Sequence, residues 1–259
     1  MIVMMSVLTS SFASASGPSH RSVTGIYAPL IEQPGQNSTG VVVTIVKEAF
    51  KSVHMNARFV VVPFPRAISF LAKKTESIGF FDPETLRPIF GKDVSCVPFM
   101  QYNATLFQLP ETKSKPGLSK VAGMYRGNPV EKKLLQAMNL EVVETGSHLA
   151  LFEMLRIGRL HSVSTVDLTG LKVLKSEFTP KFRAKVVMNQ KPYHQGKAGL
   201  CFFGPASQSS KQAFQKGLSN IYKNGRFQET VKAFLSSLLP PRQVDSYFEQ
   251  HWGSMIKDL

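Results

Sequence analysis

The chain has 259 residues, of which 43% are hydrophobic, and its 31 lysines and arginines against 17 aspartates and glutamates give a formal net charge of +14. This length allows one large domain or two smaller ones. The basic charge favours acidic partners, although a soluble basic surface gives the same value. No long run of like charge and no alternation of aromatic and basic residues indicates a nucleic-acid-binding surface, so we expect no nucleic-acid partner.

The first fifteen residues predict a secretory signal peptide. They contain no charged residue, Ile2 to Leu8 form a short apolar core, and Ala13-Ser14-Ala15 fits a small-x-small cleavage site. The alternative is a disordered cytosolic tail. No later stretch approaches the roughly 20 apolar residues of a membrane span, so we expect the mature protein to be soluble.

Residues 39–87 predict two helices that alternate with two strands. Arg58–Val62 contains a β-branched run that is short enough for a buried strand. Pro65 suits the first turn of the second helix, and Ile78–Phe81 is the next apolar run. The first helix is indicated by apolar residues at helical spacing after Thr39-Gly40: Val42, Ile45, Val46, Ala49 and Phe50.

This alternation favours an α/β fold with a mostly parallel sheet. In such sheets, ligands bind outside the carboxyl ends of the strands. The segments Pro63–Arg66 and Asp82–Arg87 are predicted to be loops at that edge, and each holds an arginine.

The rest of the chain predicts a second α/β unit from Lys120, followed by a helical C-terminal section. Leu109–Ser119 is polar, contains Pro and Gly, and predicts a linker or surface hairpin. Asn128 and Ser147 each precede a predicted helix as its cap. We predict strands over Ser22–Tyr27, Val94–Val97, Ala104–Gln108, Glu141–Glu144, Ser162–Val166, Ala184–Met188 and Gly199–Phe203, and helices over Pro129–Met138, His148–Ile157, Leu168–Lys175, Ser207–Lys223 and Arg226–Ser237.

The cysteines and histidines give no sign of a metal centre. Cys96 and Cys201 could form one disulfide in an oxidising compartment, or could be two buried free thiols. The six histidines lack metal-ligand spacing. We therefore expect neither a metal nor another cofactor.

The order of several motifs is similar to that of a known family. GIYAPL, GVVVTIVKEAF, PFPRAISFLA, TLRPIF, GRL and NGRFQETVKAF occur in this order over roughly residues 22–237. The set resembles the extracellular solute-binding proteins of family 3, the amino-acid-type substrate-binding components of bacterial ABC transporters. Each motif alone is weak, and the ordered set carries the resemblance.

The resemblance implies a type II periplasmic-binding fold, with two α/β lobes and a ligand cleft between them. Residues 16–106 and 200–259 would form the first lobe, and residues 107–199 the second. It also implies a periplasmic monomer that binds a small polar solute, either an amino acid or another carboxylate, and an ABC permease as a partner. The lobes would close by a hinge, and no catalytic activity is expected.

Several site residues follow from the same resemblance. Arg87 matches the family arginine that binds a ligand α-carboxylate with two parallel donors, although a surface or hinge salt bridge is the alternative. Arg66 matches an arginine that lines the cleft or braces the lobe. Tyr27 belongs to a segment whose aromatic rings stack on the ligand, although a core or rim tyrosine is the alternative. Phe64 takes the aromatic place of the motif that contains Arg66, and Ser147 is expected to begin a helix whose N-terminus faces an anionic group.

The sequence also departs from the family pattern. Leu30 stands where a second aromatic residue is usual, and the typical GRxD motif ends here in His161. The acid that pairs with a ligand ammonium falls near Val166, which leaves Asp167 as a stand-in. An unpaired ammonium in a closed cleft is costly, so the amino-acid ligand is less firmly indicated than the fold.

Two other functions stay open from the sequence. One is a dehydratase-like enzyme on the same fold, for which Glu84, His148 and His161 are the candidate acid–base residues. The other is a degenerate binding or sensor module without a working cleft. Turnover would distinguish the enzyme, and stabilisation by a ligand without turnover would distinguish the binder.

Overall fold

The computed structural model of the protein describes residues 19–25, 29–32, 38–110 and 120–256. The predicted signal peptide, Tyr27 and most of the predicted linker at 109–119 lie outside these residues. Within the described ranges, no helix combines the length and the apolar character that crossing a membrane requires.

The described chain mostly alternates strands with helices up to residue 188 and ends in a helical section. The strands are β1 (Ser19–Thr24), β2 (Asn56–Val61), β3 (Ile78–Phe81), β4 (Val94–Gln108), β5 (Val121–Tyr125), β6 (Glu141–Thr145), β7 (Ser162–Val166), β8 (Val187–Met188) and β9 (His194–Phe203). The helices are α1 (Val41–Lys51), α2 (Phe64–Ala72), α3 (Pro83–Phe90), α4 (Pro129–Ala137), α5 (His148–Arg156), α6 (Asp167–Glu177), α7 (Pro180–Arg183), α8 (Gln208–Lys223), α9 (Arg226–Leu238), α10 (Pro241–Phe248) and α11 (Ser254–Ile256).

One sheet runs through the molecule in the order β2-β1-β3-β9-β4-β7-β5-β6, and β8 pairs with β4. Strand β1 is parallel to β2 and β3, and β5 is parallel to β6 and β7. The central pairs β3-β9, β9-β4 and β4-β7 are antiparallel. The sheet is therefore mixed, and the predicted parallel arrangement holds at its two ends.

The two parallel ends belong to two α/β lobes, and the strands β4 and β9 cross between them. In the first lobe, Phe50 of α1 packs against Phe214 of α8, with ring centroids 5.5 Å apart. In the second, Phe107 packs against Phe152 of α5 at 5.4 Å. Each lobe thus has its own apolar core, while the predicted lobe boundaries stay a prediction.

Several predicted elements have different bounds in the structure. The first strand covers Ser19–Thr24 instead of Ser22–Tyr27, and the last covers His194–Phe203 instead of beginning at Gly199. The two short strands predicted over 94–97 and 104–108 are one continuous strand, β4, because its pairing with β9 continues through a register irregularity at Pro98. The strand predicted over Ala184–Met188 retains only two residues.

The predicted loop at Asp82–Arg87 is wrong. Asp82 caps helix α3, since its side chain accepts a hydrogen bond from the backbone N–H of Glu84 at 2.7 Å, and Pro83 begins the helix. Arg87 lies inside this helix. Arg66 likewise lies in helix α2, which begins at Phe64.

Cys96 and Cys201 form a disulfide. They face each other in the register of β4 and β9, so the bond joins the two crossing strands directly. The disulfide excludes the alternative of two free thiols, which the sequence left open.

Candidate functional site

A cavity of about 1070 Å³, a volume that includes open solvent at its mouth, lies between the two lobes. It opens at the carboxyl ends of β3, β5 and β7, which is where ligands bind in α/β sheets. Its lining includes Phe64, Phe81, Asp82 and Thr85 from the first lobe, Tyr102 and His194 from the crossing strands, and Tyr125, Glu131, His148, Ser164 and Tyr193 from the second lobe.

Glu131 is a carboxylate of the second lobe that is held by two hydroxyl groups. Asn128 caps helix α4 by accepting a hydrogen bond from the Glu131 N–H at 3.1 Å, which fixes Glu131 in the first turn. The Oε1 atom of Glu131 accepts hydrogen bonds from the hydroxyl groups of Ser164 and Tyr193, the latter at 3.3 Å. Burial raises the pKa of Glu131 to about 7, and the nearby charge of Glu144 acts in the same direction.

Asp82 is the corresponding carboxylate of the first lobe. Its Oδ1 caps α3, and its Oδ2 accepts a hydrogen bond from the hydroxyl of Tyr102. Burial raises the pKa of Asp82, although the hydrogen bonds from Tyr102 and the Glu84 N–H and the charge of His194 oppose the rise. At both carboxylates, desolvation raises the pKa by more than the hydrogen bonds lower it.

Aromatic rings form much of the remaining wall. His148 stacks on Tyr125, with ring centroids 4.8 Å apart and planes 13° from parallel. Burial lowers the pKa of His148 to about 4, so its ring is neutral at physiological pH. Tyr102 meets His194 edge-on at 6.0 Å.

The two lobes touch beside the cavity at Gly127. This residue has a φ of +103°, and a methyl group in its place would lie 3.2 Å from Cγ of Pro65 on helix α2. Glycine therefore provides both the backbone conformation and the space for the second lobe to approach the first.

Solved structures of amino-acid-binding proteins match this arrangement over most of both chains. The GluR0 ligand-binding core from Nostoc punctiforme, in complex with L-glutamate, has a TM-score of 0.67 at 13% identity and covers 83% of this chain and 98% of its own. The arginine-, lysine-, histidine-binding protein ArtJ from Geobacillus stearothermophilus has a TM-score of 0.66 at 13% identity, covering 88% and 99%. The chain has the type II periplasmic-binding-protein fold.

A third match within the periplasmic-binding-protein fold is the ancestral amino-acid-binding protein AncCDT-1, a precursor of cyclohexadienyl dehydratase. Its TM-score is 0.63 at 16% identity, with 83% of this chain and 94% of that chain covered. No protein-family model matches the chain, and no curated protein matches it. The resemblance inferred from the sequence is therefore confirmed at the level of the fold, and the fold leaves the ligand open.

The structure brings some of the predicted site residues to this cavity and places others elsewhere. Phe64 lines it, as does Leu30, which is buried at the position of the missing aromatic residue. Arg66 and Arg87 are exposed on their helices and do not line the cavity. Tyr27 lies outside the described residues.

Two more predicted residues lie next to the lining without joining it. Ser147 caps α5 by accepting a hydrogen bond from the Ala150 N–H at 3.4 Å, and the following residue, His148, lines the cavity. Asp167 is buried behind the cavity, where its Oδ2 lies 3.2 Å from Nδ2 of Asn103 and 3.1 Å from Nε2 of His251. Its carboxylate is occupied by these internal contacts.

The candidate acid–base residues of the enzyme hypothesis do not converge. His148 lines the cavity as a neutral stacked ring, whereas Glu84 is exposed. His161 is buried outside the lining, with its Nε2 3.1 Å from Nε2 of Gln108.

Sequence reasoning missed the two carboxylates that the cavity contains. Asp82 carried a readable signal, because an aspartate before a proline is typical of a helix start. Glu131 carried a weaker one, since the Asn128 cap placed it in the first turn of α4. Its contacts with Ser164 and Tyr193 join segments 33 and 62 residues away, which no local pattern reveals.

Proposed function

We propose that this protein is a solute-binding protein of the amino-acid type, which captures a small polar solute between its lobes for an ABC transporter in the periplasm. The observation that carries the proposal is the cavity at the carboxyl ends of the strands of both lobes, to which each lobe contributes one partly buried carboxylate. A binding pocket with a mainly apolar wall and a few polar groups is typical of small-molecule sites.

The mechanism is a hinge closure driven by ligand binding. Asp82 belongs to the first lobe and Glu131 to the second, so a ligand that contacts both is held fully only when the lobes are together. Such a ligand shifts the equilibrium between open and closed forms by its difference in affinity for the two. The closed surface is then what a membrane permease would recognise, and no covalent chemistry is involved.

The chemical class of the ligand is a separate part of the proposal. The family resemblance implies an amino acid or another carboxylate that is held by Arg87. Because Arg87 is exposed and outside the lining, its predicted role is tested directly by R87A. Loss of carboxylate binding in R87A would support that role, and unchanged binding would remove Arg87 from the site.

The experiment that tests the function is a thermal-unfolding screen of the chain from Ser16, with amino acids, dicarboxylates and aliphatic amines. A ligand at about 100 times its dissociation constant should add roughly 2.7 kcal/mol to the stability. V130W should abolish the shift, because Val130 lines the cavity, whereas K133W places the same ring on the exposed side of the same helix. Shifts that are equal in both variants would refute binding in this cavity.

An acid–base enzyme is a second candidate because of the raised pKa of Glu131. A carboxyl group with a pKa of about 7 beside two hydroxyl groups is suited to proton transfer at neutral pH. Conversion of a small-molecule substrate by the wild type, lost in E131Q, would favour the enzyme. A ligand that stabilises the protein and is recovered unchanged would favour the binder.

A further inference from the structure

Among the described residues that line the cavity, carboxyl groups outnumber lysines and arginines, although the chain as a whole carries a net charge of +14. Asp82 and Glu131 both line it. Among the described lining residues, the one lysine or arginine is Arg126. It is exposed, and its charge acts on Glu144. His148 is neutral, and the charge of His194 only partly offsets the burial of Asp82.

The two carboxylates differ in how fully they are satisfied. Both oxygens of Asp82 accept hydrogen bonds, from the Glu84 N–H and from Tyr102. At Glu131, both hydroxyl contacts go to Oε1, and Oε2 receives no hydrogen bond from the described residues. Glu131 is partly buried, so this oxygen can accept a hydrogen bond from a donor or a cation that enters the cavity.

The walls between the carboxylates suit a positively charged, partly apolar molecule. Tyr102, Tyr125 and Tyr193 line the cavity together with Phe64, and the faces of such rings attract cations. The neutral His148 extends this surface by its parallel stack on Tyr125. Rings also pack favourably against methylene groups.

Resting on the proposed function, we propose that the cavity selects a cationic ligand, an aliphatic amine whose ammonium groups pair with Glu131 and Asp82. The carboxylates lie on different lobes, so a ligand with a positive charge at each end would bridge them and favour closure. An anionic ligand would add a further negative charge between two carboxylates, with no buried lysine or arginine in the described lining to receive it.

The test is calorimetric titration at pH 8 with four probes of similar length: 1,4-diaminobutane, butylamine, succinate and butyrate. At this pH the amines are protonated and Glu131 is ionised. We expect the diamine to bind most tightly and the two carboxylates not to bind. E131Q and D82N should each weaken diamine binding at least about tenfold, the loss expected of one charge-assisted hydrogen bond.

The variants are chosen to keep the fold. Glutamine retains an oxygen acceptor for Ser164 and Tyr193, and asparagine caps helices as well as aspartate does. E153Q is the matched control, because Glu153 is exposed on α5 and pairs with Arg156 on the surface; its diamine affinity should stay within about twofold of wild type.

The outcomes separate this proposal from the proposed function. If succinate or butyrate binds and V130W abolishes that binding, the cation proposal is overturned while the function stands. Diamine binding that is unchanged in both E131Q and D82N also overturns it. If neither these probes nor any amino acid binds the wild type, both the cation proposal and the binding function fail.

Discussion

Glu131 should destabilise the ligand-free protein at neutral and alkaline pH, and E131Q should remove this penalty. Burial raises the pKa of Glu131 from 4.5 to about 7 in the folded state. Each pKa unit corresponds to about 1.4 kcal/mol, so the ionised group disfavours folding by up to about 3 kcal/mol.

The sign follows from proton binding in the two states. Between pH 4.5 and pH 7, the folded protein holds a proton on Glu131 that the unfolded chain releases. The stability of the wild type attributable to this group is therefore greatest below pH 4.5 and falls as the pH rises to about 7. Because glutamine does not titrate, the stability of E131Q relative to wild type should rise by up to about 3 kcal/mol over the same window.

The assay is urea unfolding at unit steps from pH 4 to pH 8, followed by the fluorescence of Trp252, the single tryptophan, which is fully buried. E153Q is the control at an exposed position and should differ from wild type by less than about 1 kcal/mol at every pH. A difference between E131Q and wild type that stays constant from pH 4 to pH 8, or that reverses in sign, would show that Glu131 does not have the raised pKa.

Two further predictions concern the crossing strands and the mouth of the cavity. C96S/C201S should lower the free energy of unfolding by about 4–5 kcal/mol, because the disulfide closes a loop with a sequence separation of 105; a loss below about 1 kcal/mol in urea unfolding would contradict this. G127V should weaken ligand binding in calorimetry, since the new side chain meets Pro65 and is strained at positive φ. G146A is the control, because a methyl group at Gly146 has open space, and it should bind the ligand as wild type does. Equal affinity of G127V and G146A would show that the contact between Gly127 and Pro65 is unimportant for binding.

The sequence was most informative where local signals coincide with local structure. Ile78–Phe81 and Ser162–Val166 are strands with the predicted bounds, because short apolar or β-branched runs in an α/β chain have few alternatives. The caps at Asn128 and Ser147 are confirmed for the same reason, since a capping side chain bonds within three residues of itself.

Features that depend on distant residues could not be predicted in the same way. Continuity of β4 through Pro98 depends on its pairing with β9, about a hundred residues away. The disulfide depends on the same pairing. The contacts of Glu131 join α4 to β7 and to the segment before β9, so its unusual environment is a property of the assembled lobes and not of its own helix.

The placement of arginines shows a different limit. The family resemblance implied a ligand role for Arg87, and helix α3 carries its exposed side chain outside the cavity lining, so that role stays a prediction. A matched residue type in a sequence does not fix the direction of its side chain, because that direction depends on how the helix that bears it packs.

The central claim, that a small solute binds between the lobes, is tested most directly by calorimetric titration of the wild type, V130W and K133W with the ligand that gives the largest thermal shift. We expect saturable binding at one site in the wild type and K133W and none in V130W. Equal binding by all three proteins, or the absence of binding to the wild type by every amino acid, carboxylate and amine tested, would contradict it.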